Sequence, residues 1–520
     1  MHRENLARTP DPNHGISTFQ QSVDGLSVLL KSWPEDRVRT EFDLSADSRL
    51  LKTTISLCRD CLQHIPAAVY ERDGRVFITS RCNTHGIQAA VVENDAGFYR
   101  LTSKDQWGLR YCDDAIVDLP AFGGCCGTGK GASPAPVADD WRHDFTDQRA
   151  NKTCTVLVEI TNACNLTCRV CYADSRGDRV LPFEDFKRHM QQLIEQKGFL
   201  DSVQITGGEA SLHPRFWDML AWLHGQAGVG KIYLPTNGIE FSKPGAARKL
   251  RPFRDKLLVL LQFDGSEANT NHSLRRANPL KPRMRLVKAL NRNRIVMQFT
   301  MTLAHGISER EIAWVVKQAF KHKHVRVLGM LPAFFSGRYE LDTDPMTRLT
   351  LSDAVKGVVA GMPKSVRRSD FLPIPCSHPN CGWTTLFARR FGLIFNIARF
   401  VDLDTVMDDV AYKTILDKKQ MQGIVGTRTQ SVWARLAARI GRRLIRPKDV
   451  FGIAIKPFMD RFNYDQDRIS ACCHHTLDTA GRLVSFCEYN ARLREADSWD
   501  GLPPIERPSR ELPVEVGRHG

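Results

Sequence analysis

No stretch of this 520-residue chain strings together the roughly eighteen consecutive apolar residues of a membrane-spanning helix, and its beginning lacks the apolar core of a signal peptide. A cytoplasmic protein is the expectation. Negative charge is in short supply: 58 Asp and Glu stand against 73 Lys and Arg, a formal net charge of +15. Such an excess suits an anionic partner, whether nucleic acid, a phosphate-bearing substrate or an acidic membrane surface, and does not choose among them. An aromatic-basic recognition pattern is missing, which counts against nucleic acid. Internal repeats are missing too, apart from an alternation of strands and helices.

Cysteine, by contrast, is plentiful, with 15 residues in short-spaced groups. In a reducing compartment that arrangement argues for metal rather than disulfides. The chain is too long for one hydrophobic core, so two or three domains are expected. Residues 1–50 are polar and unpatterned and read as a poorly ordered leader. Residues 51–130 form a cysteine-bearing module, 131–150 a linker that follows a Gly/Ala/Pro-rich stretch, and 151–335 a barrel. A C-terminal region with further cysteines fills 336–495, and 496–520 is a tail.

The barrel rests on six short apolar runs at 155–161, 202–206, 231–235, 256–263, 295–303 and 324–331, several of them separated by helical patterns at 183–196, 213–224, 280–291 and 308–321. Near-continuous apolar strands alternating with helices make a parallel sheet. The fold class is therefore α/β, a partial (β/α)6 barrel.

Directly after the first run comes Thr161-Asn162-Ala163-Cys164-Asn165-Leu166-Thr167-Cys168-Arg169-Val170-Cys171-Tyr172. This is the C-terminal mouth of a barrel strand, where barrel active sites lie. Three thiolates ligate three irons of a 4Fe-4S cubane and leave the fourth iron open to a chelating ligand. By itself the C-x3-C-x2-C spacing also fits structural zinc or a plain electron-transfer cluster. One strand later, Gly207-Gly208-Glu209 ends the second run. The glycines let backbone approach a ligand, and Glu209 can pair with an ammonium group; a simple strand-to-helix turn is the bland reading. Asn237 ends the third run and Asp264 the fourth, at the same mouth, with ligand contacts or turn capping as their two readings.

These motifs together resemble the radical S-adenosylmethionine (SAM) superfamily, whose Gly-Gly-Glu motif receives the SAM amino group. The likeness is to class D radical SAM methyltransferases acting on a hydroxymethylpterin and to the related tetraether lipid synthases. Further segments carry it: Cys154 to Asn162, Leu261 to Gly265, Pro375-Cys376 with His378 and Cys381, Phe458-Met459-Asp460, Cys472-Cys473, and Phe486-Cys487-Glu488-Tyr489-Asn490. The resemblance implies SAM and a SAM-binding 4Fe-4S cluster on Cys164, Cys168 and Cys171, with Gly207, Gly208, Glu209, Asn237 and Asp264 around the cofactor. It implies a one-electron donor such as flavodoxin or ferredoxin. Two departures stand out. Relatives carry a C-P-x-x-C-G-x-C run before the first strand where this chain has Cys125-Cys126, and Val170 stands where many members place an aromatic residue.

Two more metal sites are expected. Cys58-x-x-Cys61 followed by Cys82-x-x-His85 has the two-knuckle spacing of a zinc ribbon or rubredoxin-like site, and tetrahedral sulfur-rich sites take either zinc or iron. In the C-terminal region Cys376, Cys381, Cys472, Cys473 and Cys487 offer five thiols to an auxiliary 4Fe-4S cluster with at most four positions, so one is spare or catalytic; Cys376 and Cys381 are the catalytic candidates. Packed thiols are the alternative. His378, His474 and His475 lie beside these motifs and read as ligands, proton carriers or hydrogen-bonded supports. Within 432–446, Trp433, Leu436, Ile440 and Leu444 make one helical stripe among five arginines, suited either to an anionic membrane surface or to packing on the barrel.

The function expected is hydrogen abstraction from an unactivated carbon of a small-molecule or lipid substrate, with methylation first and lipid-chain coupling second. A basic zinc or iron protein binding nucleic acid is the alternative of another class, and it leaves the barrel motifs unexplained.

Overall fold

The computed structural model describes residues 23, 25–104, 153–341, 344–362, 364–374, 378–390, 393–397, 447–470 and 472–505. Cys376, Cys125-Cys126, the 131–150 linker and the basic 432–446 segment lie outside the described residues. No helix among those described is long and apolar enough to cross a membrane.

Strands β1 (Arg49–Leu57), β2 (His64–Arg72), β3 (Arg75–Cys82) and β4 (Gly86–Glu93) form a four-stranded antiparallel sheet in sequence order. Asp73-Gly74 makes the two-residue turn between β2 and β3, both with positive φ, which matches the twist of the flanking strands. Of the leader, residues 25–50 are structured. Val23, Leu30, Trp33, Val38 and Phe42 bury themselves against Ile55 and Ala68, with Val38 on a helix at Glu35–Glu41. Their spacing is too irregular to read as a stripe, so only the tertiary contact shows them as core.

The second sheet has twelve strands. At its centre β5 (Thr155–Glu159), β6 (Leu200–Thr206), β7 (Val229–Thr236), β8 (Leu257–Gln262), β9 (Val296–Leu303) and β10 (Val325–Pro332) pair in parallel, in sequence order. Helices α1 (Phe183–Lys197), α2 (Phe216–Gly225), α3 (Ala268–Arg275), α4 (Leu280–Asn293) and α5 (Ile312–Lys321) fall between them. The core follows from the βα alternation: Val156, Val203, Ile232, Val259 and Met297 of the strands are fully covered, as are Met190, Leu220, Leu286 and Val315 of the helices. This is the partial barrel expected.

The sheet continues past residue 335. After α6 (Leu351–Gly361), strand β11 (Trp383–Arg390) pairs with β12 (Leu393–Asn396) and with β13 (Val450–Ile455), and β13 joins β10 in parallel. At the opposite edge β14 (His474–Leu477) joins β5 in parallel and pairs with β15 (Leu483–Ser485). Residues 456–473 thus run from one edge of the barrel sheet to the other.

Buried polar contacts clamp the ribbon sheet to this frame. Lys52 Nζ donates to Asp465 Oδ2 at 2.8 Å and to Asp467, and Thr54 Oγ1 donates to Asp465 Oδ1 at 2.7 Å. At the end of β4, Glu93 accepts from Thr350 Oγ1 (2.6 Å) and from Ser352 Oγ and N at the start of α6. Burial pushes the Glu93 carboxyl up to about 7 against those hydroxyls. An acid held more tightly protonated in the fold stabilises it below the unfolded value of about 4.5, and that contribution is lost as pH rises through 7. The difference is about 3 kcal/mol in order of magnitude. Glu93→Gln keeps the acceptor without the charge, so it should be more stable than the parent at pH 8 by up to that amount in denaturant titrations. The gap should close by pH 5; a gap independent of pH would show that Glu93 does not titrate in this range.

Candidate active site

The ribbon knuckles meet at the open end of β1 and β3. Cys58, Cys61, Cys82 and His85 place their four donor atoms within 4.8 Å of one another. Cys58 Sγ and Cys82 Sγ each lie 3.4 Å from His85 Nδ1, and Cys61 Sγ lies 3.9 Å from Cys82 Sγ. A tetrahedron with metal–sulfur bonds of about 2.3 Å has sulfur–sulfur edges of about 3.8 Å. The donor set therefore fits one tetrahedral ion. Burial opposes it, yet backbone N–H groups of Thr84 and His85 and the His85 ring draw the Cys82 thiol down to about 6, towards the thiolate a metal needs.

At the barrel mouth the β5–α1 connection carries Cys164, Cys168 and Cys171. Burial pushes the Cys164 thiol up, as do Glu209 and then the Cys171 and Cys168 thiols. The three thiols therefore lie near enough to act on one another. Three thiols are the number that a cubane with one open iron requires. Two residues of the loop, Val170–Cys171, pair antiparallel with Arg338–Tyr339, and Arg338 Nε donates to the Cys168 carbonyl at 2.5 Å. The loop is thereby pinned from the far side of the barrel.

Gly207 and Gly208 touch this loop directly. Gly208 N donates to Thr161 O at 2.8 Å and Glu209 N to Ala163 O at 2.9 Å. A Cβ on Gly207 (φ +138) would stand 2.2 Å from Thr161 O, and one on Gly208 would stand 2.1 Å from Ala163 O. Their bareness lets the end of β6 press against the cluster loop. Glu209 is 1% exposed; its Oε1 accepts from Ser211 Oγ and Thr236 Oγ1, both at 2.8 Å, and its Oε2 from Asn237 N at 2.9 Å. A carboxylate has about four acceptor positions, so one remains for an ammonium group. Asn237 Nδ2 donates to Asn165 Oδ1 at 2.7 Å and lies 4.0 Å from Cys164 Sγ. The mouth residues of β5, β6 and β7 thus form one bonded rim.

Asp264 is fully buried and lies at the centre of a charged cluster. Arg275 grips it with two bonds, Nε to Oδ2 at 2.9 Å and Nη2 to Oδ1 at 2.8 Å, and Arg283 Nη1 lies 3.4 Å from Oδ2. Burial would raise the Asp264 carboxyl, but the Arg275 and Arg283 guanidinium groups hold it below its usual value. Burial brings Arg283 down to about 10, so it stays charged at neutral pH. Arg275 Nη1 donates to the Val170 carbonyl at 3.3 Å, and Arg169 N to Leu274 O at 3.0 Å, which ties α3 to the cluster loop. Neither arginine stands out in the sequence. Helix α3 reads Ala268-Asn-Thr-Asn-His-Ser-Leu-Arg275, too polar and too short for a helical pattern, and its Asp264 partner is a contact across a turn.

In the C-terminal region Cys381, Cys472 and Cys487 approach one another: burial pushes the Cys487 thiol up, and the Cys472 and Cys381 thiols add to the effect. Buried Arg468 donates Nε to Cys381 Sγ at 3.4 Å, and Met459 N donates to Cys487 Sγ at 3.4 Å. Cys473 instead packs with Cys154 beneath β5, where Cys154 N donates to Cys473 O at 2.8 Å. His378 turns inward to accept from Asn380 N at 3.0 Å. An aromatic wall joins the two thiol groups: Tyr172, next to Cys171, meets Phe486, next to Cys487, edge-on at 5.5 Å, with Phe334 and Phe458 against both sides. Arg468, like Arg275, is a neighbour of a candidate ligand cysteine that the sequence pattern does not reveal.

Residues 158–319 match the Radical SAM superfamily, and residues 50–94 match the HMPTM N-terminal zinc ribbon domain. The chain is similar to the 7,8-dihydro-6-hydroxymethylpterin dimethyltransferase of Methanocaldococcus jannaschii, 25% identical over 503 residues that cover 85% of this chain and 94% of that one. It is also similar to the antilisterial bacteriocin subtilosin biosynthesis protein AlbA of Bacillus subtilis, 26% identical over 31% of this chain and 36% of that protein. A structure of Streptococcus suis SuiB bound to S-adenosylmethionine is 13% identical, with a TM-score of 0.36 over 63% of this chain and 76% of that one. The chain thus carries a Radical SAM domain at residues 158–319, a family that implies a 4Fe-4S cluster and SAM as cofactors, and a metal-binding zinc ribbon of the HMPTM type precedes it.

Proposed function

We propose that the enzyme removes a hydrogen atom from an unactivated carbon of a small molecule and that a methyl group is joined there from a one-carbon donor separate from the SAM consumed in making the radical, with a reduced hydroxymethylpterin as the first substrate to try. The reach of the similarity carries this reading: the match to the archaeal pterin dimethyltransferase extends over 85% of the chain, well beyond the 158–319 barrel. Cluster and SAM together supply hydrogen abstraction from carbon. Cys164, Cys168 and Cys171 hold the cluster, and Gly207, Gly208 and Glu209 fix the rim against which SAM lies. Asn237 braces the loop through Asn165, and the buried Asp264–Arg275 pair fixes its far half. The wall of Tyr172, Phe334, Phe458 and Phe486 keeps water from the space between the two thiol groups. Cys381, Cys472 and Cys487, with Cys376, hold an auxiliary cluster that positions the substrate, and a flavodoxin or ferredoxin supplies the electron.

The test is anaerobic reconstitution, followed by incubation with excess SAM, dithionite, a methylene-bearing reduced folate and either 7,8-dihydro-6-hydroxymethylpterin or a lipid extract. A pterin product heavier by a methyl group, formed together with 5′-deoxyadenosine, supports the reading. Coupled lipid chains with an unchanged pterin would overturn it.

A further inference from the structure

The charges around Asp264 do not balance. Arg275 and Arg283 bring two buried cations to a single carboxylate, and all three side chains are at most 7% exposed. The buried carboxylates of neighbouring turns are engaged elsewhere. Glu209 is bonded to Ser211, Thr236 and the Asn237 backbone, while Glu311 accepts from Ser266 and the Glu267 backbone. No salt bridge joins either of them to Arg283 among the described residues. Arg283 spends Nε on Asn237 O (3.2 Å) and Nη1 on Asn271 Oδ1 (3.3 Å) and Asp264, while its buried Nη2 has no hydrogen-bond partner. Leaving a guanidinium buried and under-satisfied is expensive unless something else compensates its charge. The chain around the cluster loop supplies the neighbourhood: Arg275 also donates toward the Cys168 thiol and to the Val170 carbonyl, between two of the cluster ligands.

We propose that Arg283, with Arg275 and Asp264, holds one uncompensated positive charge beneath the cluster loop, and that this charge raises the reduction potential of the cluster on Cys164, Cys168 and Cys171. Arg283 acts as a positioning residue for charge and touches no reacting atom. A 4Fe-4S cluster becomes one unit more negative on reduction, and its potential follows local net charge, hydrogen bonds to sulfur and solvent access. A surplus cation therefore favours the reduced form. A unit charge roughly 10 Å away, at an effective dielectric of about 20, moves a one-electron equilibrium about tenfold.

The inference rests on the cluster assignment, and the experiment separates the two. The reconstituted full chain is titrated against potential, following the electron paramagnetic resonance signal that SAM perturbs. In Arg283→Gln the midpoint should fall so that the ratio of reduced to oxidised cluster at the parent's midpoint drops about tenfold, about 59 mV for one electron. Asp264→Asn removes the anion and should shift the midpoint the opposite way. Arg283→Lys keeps the charge while losing the planar fork and should stay near the parent value. Loosened packing that admits water would move Arg283→Gln and Asp264→Asn in the same direction, and that result, or an unmoved midpoint in either, overturns the proposal. Should either fail to fold, Arg283→Lys, which disturbs the packing but keeps the charge, takes its place in the comparison: a midpoint shifted as far as in the remaining variant overturns the proposal. A parent enzyme with no SAM-perturbed signal would instead refute the cluster assignment.

Discussion

Replacing Cys164, Cys168 and Cys171 together with alanine should remove one cubane of iron and sulfide and abolish reductive cleavage of SAM, while the ribbon keeps its metal. The three thiols are the chain's contribution to the cubane, and the rest of the rim offers amide, hydroxyl and carboxylate groups that iron–sulfur clusters do not take in their place. Folding should survive. The loop is held by backbone bonds from Gly208 and Glu209, by the Arg338 side chain and by the Arg275 contact to Val170, none of which uses a thiol. The ribbon quartet, assembled from the turns flanking β1 and β3, shares no residue with the loop. Metal analysis and 5′-deoxyadenosine release under dithionite measure both halves. Continued release would remove these cysteines from the chemistry, and loss of ribbon metal would make the two sites one cooperative folding unit.

Replacing Cys381 and Cys487 should uncouple the enzyme. The first cluster and its loop would remain whole, so SAM should still be cleaved, but no methylated product should form if, as proposed, these thiols hold an auxiliary cluster that positions the substrate. Iron and sulfide should fall by one cubane. If these thiols were only packing, iron would be unchanged and the variant would lose on the order of 1–3 kcal/mol of stability. That cost would come from the small voids and from Arg468, whose Nε would lose its sulfur acceptor. Iron content tells the two outcomes apart without any knowledge of the substrate.

The chemistry-bearing loop was legible because its information is local. The ligand spacing and the strand before it sit within a few residues of one another, Gly-Gly-Glu follows at the end of the next barrel strand, and the six parallel strands fall where the apolar runs do. What could not be read is what depends on distant contacts. Arg275 and Arg283 matter through Asp264, and nothing about either arginine in its own segment differs from a surface cation. Cys472 and Cys473 are adjacent in sequence, and only the extended backbone leading into β14, which sends neighbouring side chains to opposite faces, turns one toward Cys487 and the other toward Cys154. The leader's apolar residues follow no single period, since they answer the shape of β1 and β2. Strands as short as β14 and β15 carry too few residues to show alternation at all.

The run of 456–473 from edge to edge has a consequence for how the protein is made. Strands β5 to β10 each pair with a neighbour close in sequence, so a nascent chain can build them one after another as it emerges. The outer flanks of β5 and β10 have no such neighbour: their partners, β14 and β13, belong to the last stretch of the chain, and the pairing of Thr155 with His474 closes a loop of most of the protein's length. Until that stretch is synthesised, two apolar edges are open to pairing with other chains. Assembly of the frame and assembly of the auxiliary thiol group then become one late event, because the segment that seals both edges also delivers Cys472 and Arg468. A chain interrupted before it would have the cluster loop in place and a strong tendency to aggregate.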